Sequence, residues 1–342
     1  MSDDESSWDE VEPKLKYIRL ENGLEETLKR TRVSCMAVHP KFLVVGTADG
    51  EVSVLDLHGF LVSRRRTFQT KVTTVTISDN AEFVGCASDA GLVVIYNLYD
   101  DKDSQVFSYP QAVNALTLHP QYTSSPGTQR ERQTFVCGGV TQELIQNSRG
   151  WFSHKDVVLH AGEGEITAIA WAGTLLAWAN DVGVKMFDTS TRERVALVNR
   201  PGDPAEWQTL GPHKPHLVWE DLETLLIAWG QWVQIVKVER IQLADSDKTA
   251  WNVSIAASFK LELDFEDEGV ICGIAPVREW LIVLLRPHDL QYIDEDELEE
   301  AVNDDVDEDE ITLEVQKPKM LTITRDGRHV CGLDSLPIHK FE

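Results

Sequence analysis

One short pattern returns along this chain: an apolar strand, a turn that ends on glycine, and a second apolar strand. It is seen as Ala48-Asp49-Gly50 before Val52 to Leu57, as Asp89-Ala90-Gly91 before Leu92 to Tyr96, and as Asn180-Asp181-Val182-Gly183 before Val184 to Asp188. With Gly50, Gly91, Gly139, Gly183 and Gly230 as the ruler, the steps are 41, 48, 44 and 47 residues. Steps of that size are expected of four-stranded propeller blades. Leu92 to Tyr96, Leu225 to Trp229 and Trp280 to Leu285 are apolar at successive positions, as strands covered on both faces are. Helical periodicity is nearly absent between them, which disfavours an α/β sheet.

The expected fold is therefore all-β, a WD-repeat-like β-propeller with about six blades visible and the last blade or blades incomplete. Residues 1–12 read as an acidic disordered tail and 13–342 as the propeller, with Lys14 to Leu20 alternating like a strand that pairs with a blade. The polar run Gln121 to Arg132 reads as a surface insertion in blade three.

Charge matters only once it is located. The net charge is −25, but 18 of the 57 acids lie in residues 1–12 and 294–310, which contain no Lys or Arg. The rest of the chain carries 39 acids against 32 bases and no basic stripe of the kind phosphate contacts require, so no nucleic-acid partner is expected. Residues 294–310 read as a disordered acidic loop. Calcium does not fit there, because an EF-hand loop counted from Asp305 would place Glu310 at its glycine position and Gln316 at its bidentate glutamate.

No signature of phosphate cradling, zincin chemistry or the hydrolase elbow is present, so neither an enzyme nor a cofactor is expected. The five cysteines are far apart and read as buried thiols. His39-Pro40 and His119-Pro120 read as turn residues, and Gly162 to Glu165 as a structural turn. Trp171, Trp178, Trp219, Trp229, Trp232 and Trp280 are expected to fill the space between blades, any exposed one being an interface candidate. The basic run Arg64, Arg65 and Arg66 falls on an expected outermost strand. There it either protects an edge or docks an acidic partner, and it is the candidate interaction site.

Two segments carry a family resemblance. His160 to Ile166, continued through Trp171 to Asn180 and Gly183 to Asp188, resembles the fourth blade of the vacuolar protein sorting-associated protein 41 family; so does the opening, Glu12 to Tyr17 followed by Ser34 to Leu43. The resemblance implies a non-catalytic interaction module in a subunit of the homotypic fusion and vacuole protein sorting (HOPS) tethering complex, acting in transport from late endosomes and vesicles to the vacuole or lysosome. Implied partners are the other HOPS subunits, a Rab or Arf-like small GTPase and the vacuole-directed adaptor complex. The implied location is cytoplasmic, peripheral on late endosome and vacuole or lysosome membranes through partners. Family members continue into a helical solenoid and a RING-like module, so the chain is expected to be a fragment or a truncated gene product. The alternative function is a WD-repeat substrate adaptor or scaffold outside membrane traffic.

Overall fold

The structure is a computed structural model that describes residues 29–123, 132–150, 153–209, 214–242, 249–261, 269–287 and 318–335. The expected tail at 1–12, the strand at Lys14 to Leu20, the loop at 294–310 and most of the insertion at Gln121 to Arg132 lie outside the described residues.

Among the described residues the strands form six four-stranded antiparallel sheets. Blade one is β1 (Val33–His39), β2 (Phe42–Thr47), β3 (Glu51–Asp56) and β4 (Leu61–Arg66). Blade two is β5 (Val72–Ile77), β6 (Phe83–Ser88), β7 (Leu92–Asn97) and β8 (Ser104–Ser108). Blade three is β9 (Val113–Leu118), β10 (Thr134–Gly139), β11 (Glu143–Arg149) and β12 (His154–Ala161). Blade four is β13 (Ala168–Ala172), β14 (Leu175–Ala179), β15 (Gly183–Asp188) and β16 (Glu193–Asn199), followed by a short helix, α1 (Pro204–Thr209). Blade five is β17 (His216–Trp219), β18 (Thr224–Trp229), β19 (Trp232–Gln242) and β20 (Thr249–Lys260). Blade six is β21 (Gly269–Val277), β22 (Trp280–Pro287), β23 (Lys319–Thr324) and β24 (Val330–Ser335).

The recurring glycines close the hairpins between second and third strands, and at Gly50, Gly91 and Gly183 a buried polar residue just before the turn holds the backbone. Thr47 Oγ1 accepts from Glu51 N, Ser88 Oγ from Leu92 N, and Asn180 Oδ1 from Val182 N and Gly183 N. Three residue types thus do one job. A second echo lies at the end of the third strand, where Asp56, Asn97 and Asp188 accept from the backbone N–H two residues on and shape the turn to the fourth strand.

First strands of successive blades pack against one another from β1 to β21, which places them innermost. Blades meet through apolar sheet faces. Phe42, Val44 and Val54 meet Val75, Val84 and Val94 between blades one and two, and Leu226 and Ile235 meet Ile274, Leu281 and Val283 between blades five and six. The sixth sheet has four strands in backbone pairing, and the incompleteness is one of packing. Among the described residues no core cluster joins blade six to blade one, and Met36 and Val38 of β1 are 60% and 66% exposed.

Candidate interaction surface

At the mouth where the innermost strands begin, side chains fasten blades one to five to one another. Ser34 Oγ donates to Val72 O (2.6 Å), Thr73 Oγ1 donates to Val113 O, Asn114 Nδ2 donates to Glu165, and Lys214 Nζ donates to Asn114 O (3.2 Å). Loss of solvent around the Cys35 thiol, which lies among these bonds, pushes its pKa up to about 11. These polar groups are thus engaged in holding blades together. Among the described residues, no three His, Cys, Asp or Glu side chains converge in a way that could hold a metal ion.

The basic run lies on β4, the outermost strand of blade one. Side chains alternate along a strand, so Arg65 points to the face opposite Arg64 and Arg66. Arg64 Nε lies 2.8 Å from Glu51 Oε1; Arg65 pairs with Asp101 and stacks its guanidinium 4.6 Å from the Tyr96 ring centre. Arg66 is exposed. The structure therefore does not bring the three cations together on one surface. Beside them is an apolar feature that sequence reasoning did not single out. Leu57, Phe60, Leu61 and Val62, around the turn into β4, are 43%, 52%, 41% and 65% exposed. Four large apolar groups crowded on one hairpin make a patch of the kind found at interface centres.

The second region lies where blade five leans on blade four. Asp188, wholly buried at the end of β15, accepts from Ser190 N (2.9 Å), Ser190 Oγ (2.6 Å), Arg240 Nη2 (2.8 Å) and Trp251 Nε1 (3.1 Å). Burial alone would raise its pKa, but these donors hold it well below the usual carboxylate range. Arg240 also lies 4.8 Å from the Trp251 ring centre. A cavity of about 380 Å³, lined by Leu175, Leu222, Val238, Arg240 and Trp251, opens beside this cluster. On the opposite face of the same hairpin a cavity of about 520 Å³ is bordered by Lys237, Ala256 and Ala257 of blade five and by Arg278, Glu279 and Arg325 of blade six. There Arg325 grips Glu220 with two nitrogens at 2.6 and 2.8 Å. Sequence reasoning missed both cavities, since Asp188 and its donors Arg240 and Trp251 are 52 and 63 residues apart.

Other expectations resolve individually. His39 Nδ1 accepts from Lys41 N and His119 Nδ1 from Gln121 N, which makes both turn residues. Gly162, Glu163 and Gly164 form a left-handed turn, tied down by Glu163 to Lys185. Trp178, Trp229 and Trp280 are buried, and Trp171, Trp219 and Trp232 half-buried, so none of the six is an exposed anchor. The reading of every cysteine as buried needs correction. Cys86 and Cys137 are buried, but Cys35 is intermediate and Cys272 is exposed, being the extra residue of a bulge between Ile271 and Gly273 of β21. The Cys331 side chain lies outside the described residues.

Burial is the largest cause lowering the pKa of His154, His160 and His216 below the ordinary histidine value, with Arg149 and Lys185 adding to the first two. The folded state therefore keeps these rings neutral where the unfolded chain, near pH 6.5, already takes up protons. Stability is expected to be full above about pH 7.5 and to fall as the pH drops through about 6.5. Thermal melts across roughly pH 5 to 8 check this; a midpoint that rises on acidification would contradict it.

Comparison with known proteins covers most of the chain. The Vps41 β-propeller family model, whose description reads "Vps42 beta-propeller", matches residues 15–323. The chain is 37% identical over 80% of its length to the vacuolar protein sorting-associated protein 41 homolog of Arabidopsis thaliana, covering 27% of that protein. It is 31% identical over 97% of its length to the Solanum lycopersicum homolog, covering 33% of it, and 35% identical over 80% to the Homo sapiens homolog, covering 30%. The chain thus spans about a third or less of the length of these curated relatives. Among solved structures, the Cps50 (Swd1) β-propeller domain of Myceliophteria thermophila superposes with a TM-score of 0.63 over 91% of this chain and 88% of that one, at 14% identity. U3-55K does so with a TM-score of 0.59 over 91% and 84%, at 10% identity. These two likenesses speak to the fold alone.

Proposed function

The chain belongs to the Vps41 β-propeller family, and from that premise we propose that it is the protein-recognition propeller of a HOPS-type vesicle tether acting at the vacuole or lysosome. The match across residues 15–323 carries this reading. In it the chain works without catalysis, by holding partners: other HOPS subunits, an active Rab or Arf-like small GTPase, and the vacuole-directed adaptor complex. It reaches late endosome and vacuole membranes through those partners. No helix among the described residues is long and apolar enough to cross a membrane.

The blade-one rim is the surface proposed for the GTPase, which revises the role given to the basic run. Arg64 and Arg65 brace the strand through Glu51 and Asp101, while Phe60 and Val62 stand exposed at its start and Arg66 at its end. Aromatic groups and Arg are enriched at interface cores, and an exposed valine beside them adds apolar area to bury. The immobilised chain is expected to retain GTP-loaded Rab or Arf-like GTPases over the GDP forms. Phe60→Ser with Val62→Ser should weaken retention by about tenfold or more, roughly 1.4 kcal/mol, with an unchanged melt. If neither nucleotide form of any such GTPase is retained, direct GTPase recognition by this propeller fails.

A further inference from the structure

Most outer strands of the propeller are guarded. β4 carries Arg64, Arg65 and Arg66, β12 carries Lys155 and Asp156, β16 carries Glu193 and Arg194, and β8 has only five residues. Charge and brevity are the usual means of discouraging strand addition. β20 departs from this pattern. It is twelve residues long, reads TAWNVSIAASFK, contains no proline and bears no charge before Lys260. Among the described residues its sheet neighbour is β19 alone, so its other edge faces outward. Ile255 is 51% exposed, and Asn252, Ser254, Ala256 and Ser258 are exposed as well.

What lies on either side of that edge gives it a direction. Trp251 pairs with Arg240 and Val253 with Val238, on the face toward blade four, where the 380 Å³ cavity opens. Ala257 pairs with Ile235 on the face toward blade six, with Ala256 as the bulge residue, and there the 520 Å³ cavity opens. An open strand edge therefore runs between two cavities on opposite faces, offset along the strand by about three to five residues, or roughly 10–17 Å. The first cavity is walled chiefly by apolar groups such as Leu222, Val238 and Trp251. The second is lined by one more carboxylate than cation, an excess that remains after Arg325 and Glu220 pair with each other.

The geometry points to β20 as a docking edge for an extended segment of a partner protein, which adds to blade five as a fifth strand. That segment places an apolar side chain in the cavity beside Trp251 and a basic side chain in the one beside Ala257. Because the cavities are on opposite faces, the two side chains are an odd number of residues apart. Main-chain hydrogen bonds supply affinity in such strand addition, and the alternate side-chain pockets supply selectivity. The assignment is independent of which vesicle, GTPase or complex the propeller serves.

The test uses the whole chain and a fluorescein-labelled nonapeptide of alternating Thr and Val, with one Leu and, three places on, one Lys. Fluorescence anisotropy is expected to show saturable binding, weakened at least tenfold when Leu and Lys are moved two places apart and so share a face. N-methylation of every second residue should abolish binding in one phase of the alternation and spare it in the other. Asn252→Lys with Ser254→Lys, both exposed positions, should weaken binding at least tenfold with an unchanged melt. Absence of binding, or equal tolerance of both methylation phases, overturns the proposal. So does a chain that sediments as a dimer, becomes monomeric in the Lys variant and ignores the peptide, since the edge would then serve a second copy.

Discussion

Asp188→Ala is expected to cost about 3 kcal/mol of folding stability, seen as a lower denaturation midpoint with an unchanged slope. Asp188 closes blade four onto the blade-five hairpin, and it has no access to solvent. Without it, Trp251 Nε1 loses its acceptor, and Arg240 loses the partner 2.8 Å away that compensates its partial desolvation. The expected value sits at the low end for a broken buried pair because Arg240 remains 45% exposed and water screens part of its charge. Asp188→Asn keeps an acceptor oxygen and the shape of the turn at Ser190, so it should lose less. The carboxyl is held below its unfolded pKa, hence its contribution is present at neutral pH and is lost as the pH falls through and below the carboxylate range. Equal stability of Asp188→Ala and the parent chain would mean that the two blades are held by apolar packing alone.

The second strand of each blade was legible because burial on both faces makes it almost continuously apolar, as in β6 and β18. Outer strands lack that signature. β11 and β12 of blade three mix Glu143, Gln146, Lys155 and Asp156 into positions that are partly or fully exposed, so only the short runs Leu144-Ile145 and Val157-Val158-Leu159 mark them beyond Gly138. The same physics hides the end of blade five's hairpin. Exposed Glu239 and Arg240 in β19 resemble a loop, though the strand continues to Gln242. The cations of β4 were visible as a run, but their separation onto two faces follows from strand alternation together with the positions of Glu51 and Asp101, which pairing fixes and composition does not. Contacts that join blades, such as Asp188 to Trp251, depend on the register of two sheets at once.

The hairpin glycines predict the largest effect, and they allow strain to be separated from collision. Gly91 has φ +81°, and a Cβ there would meet Tyr109 O and lie 2.7 Å from Gln111 O, in the linker that carries the chain from blade two to blade three. Gly50 is built alike: φ +92°, with Phe68 O and Thr70 O in the corresponding places. In each case the glycine carbonyl accepts from that linker, from Tyr109 N at 2.8 Å and from Phe68 N at 3.0 Å. A side chain would thus push away the strand to which the backbone is bonded. Gly162 offers the control, since its φ is +85° yet nothing lies within 4 Å of its added Cβ. Gly162→Ala should cost only the left-handed conformation, about 1–2 kcal/mol. Gly91→Ala should cost more than about 4 kcal/mol, because backbone oxygens cannot rotate aside as a side chain would, and buried Tyr109 is displaced with them. Denaturant unfolding of the two variants measures the difference. If both lose the same amount, the glycines answer to backbone conformation alone, and the close approach of linker to turn does not contribute to the spacing that repeats along the chain.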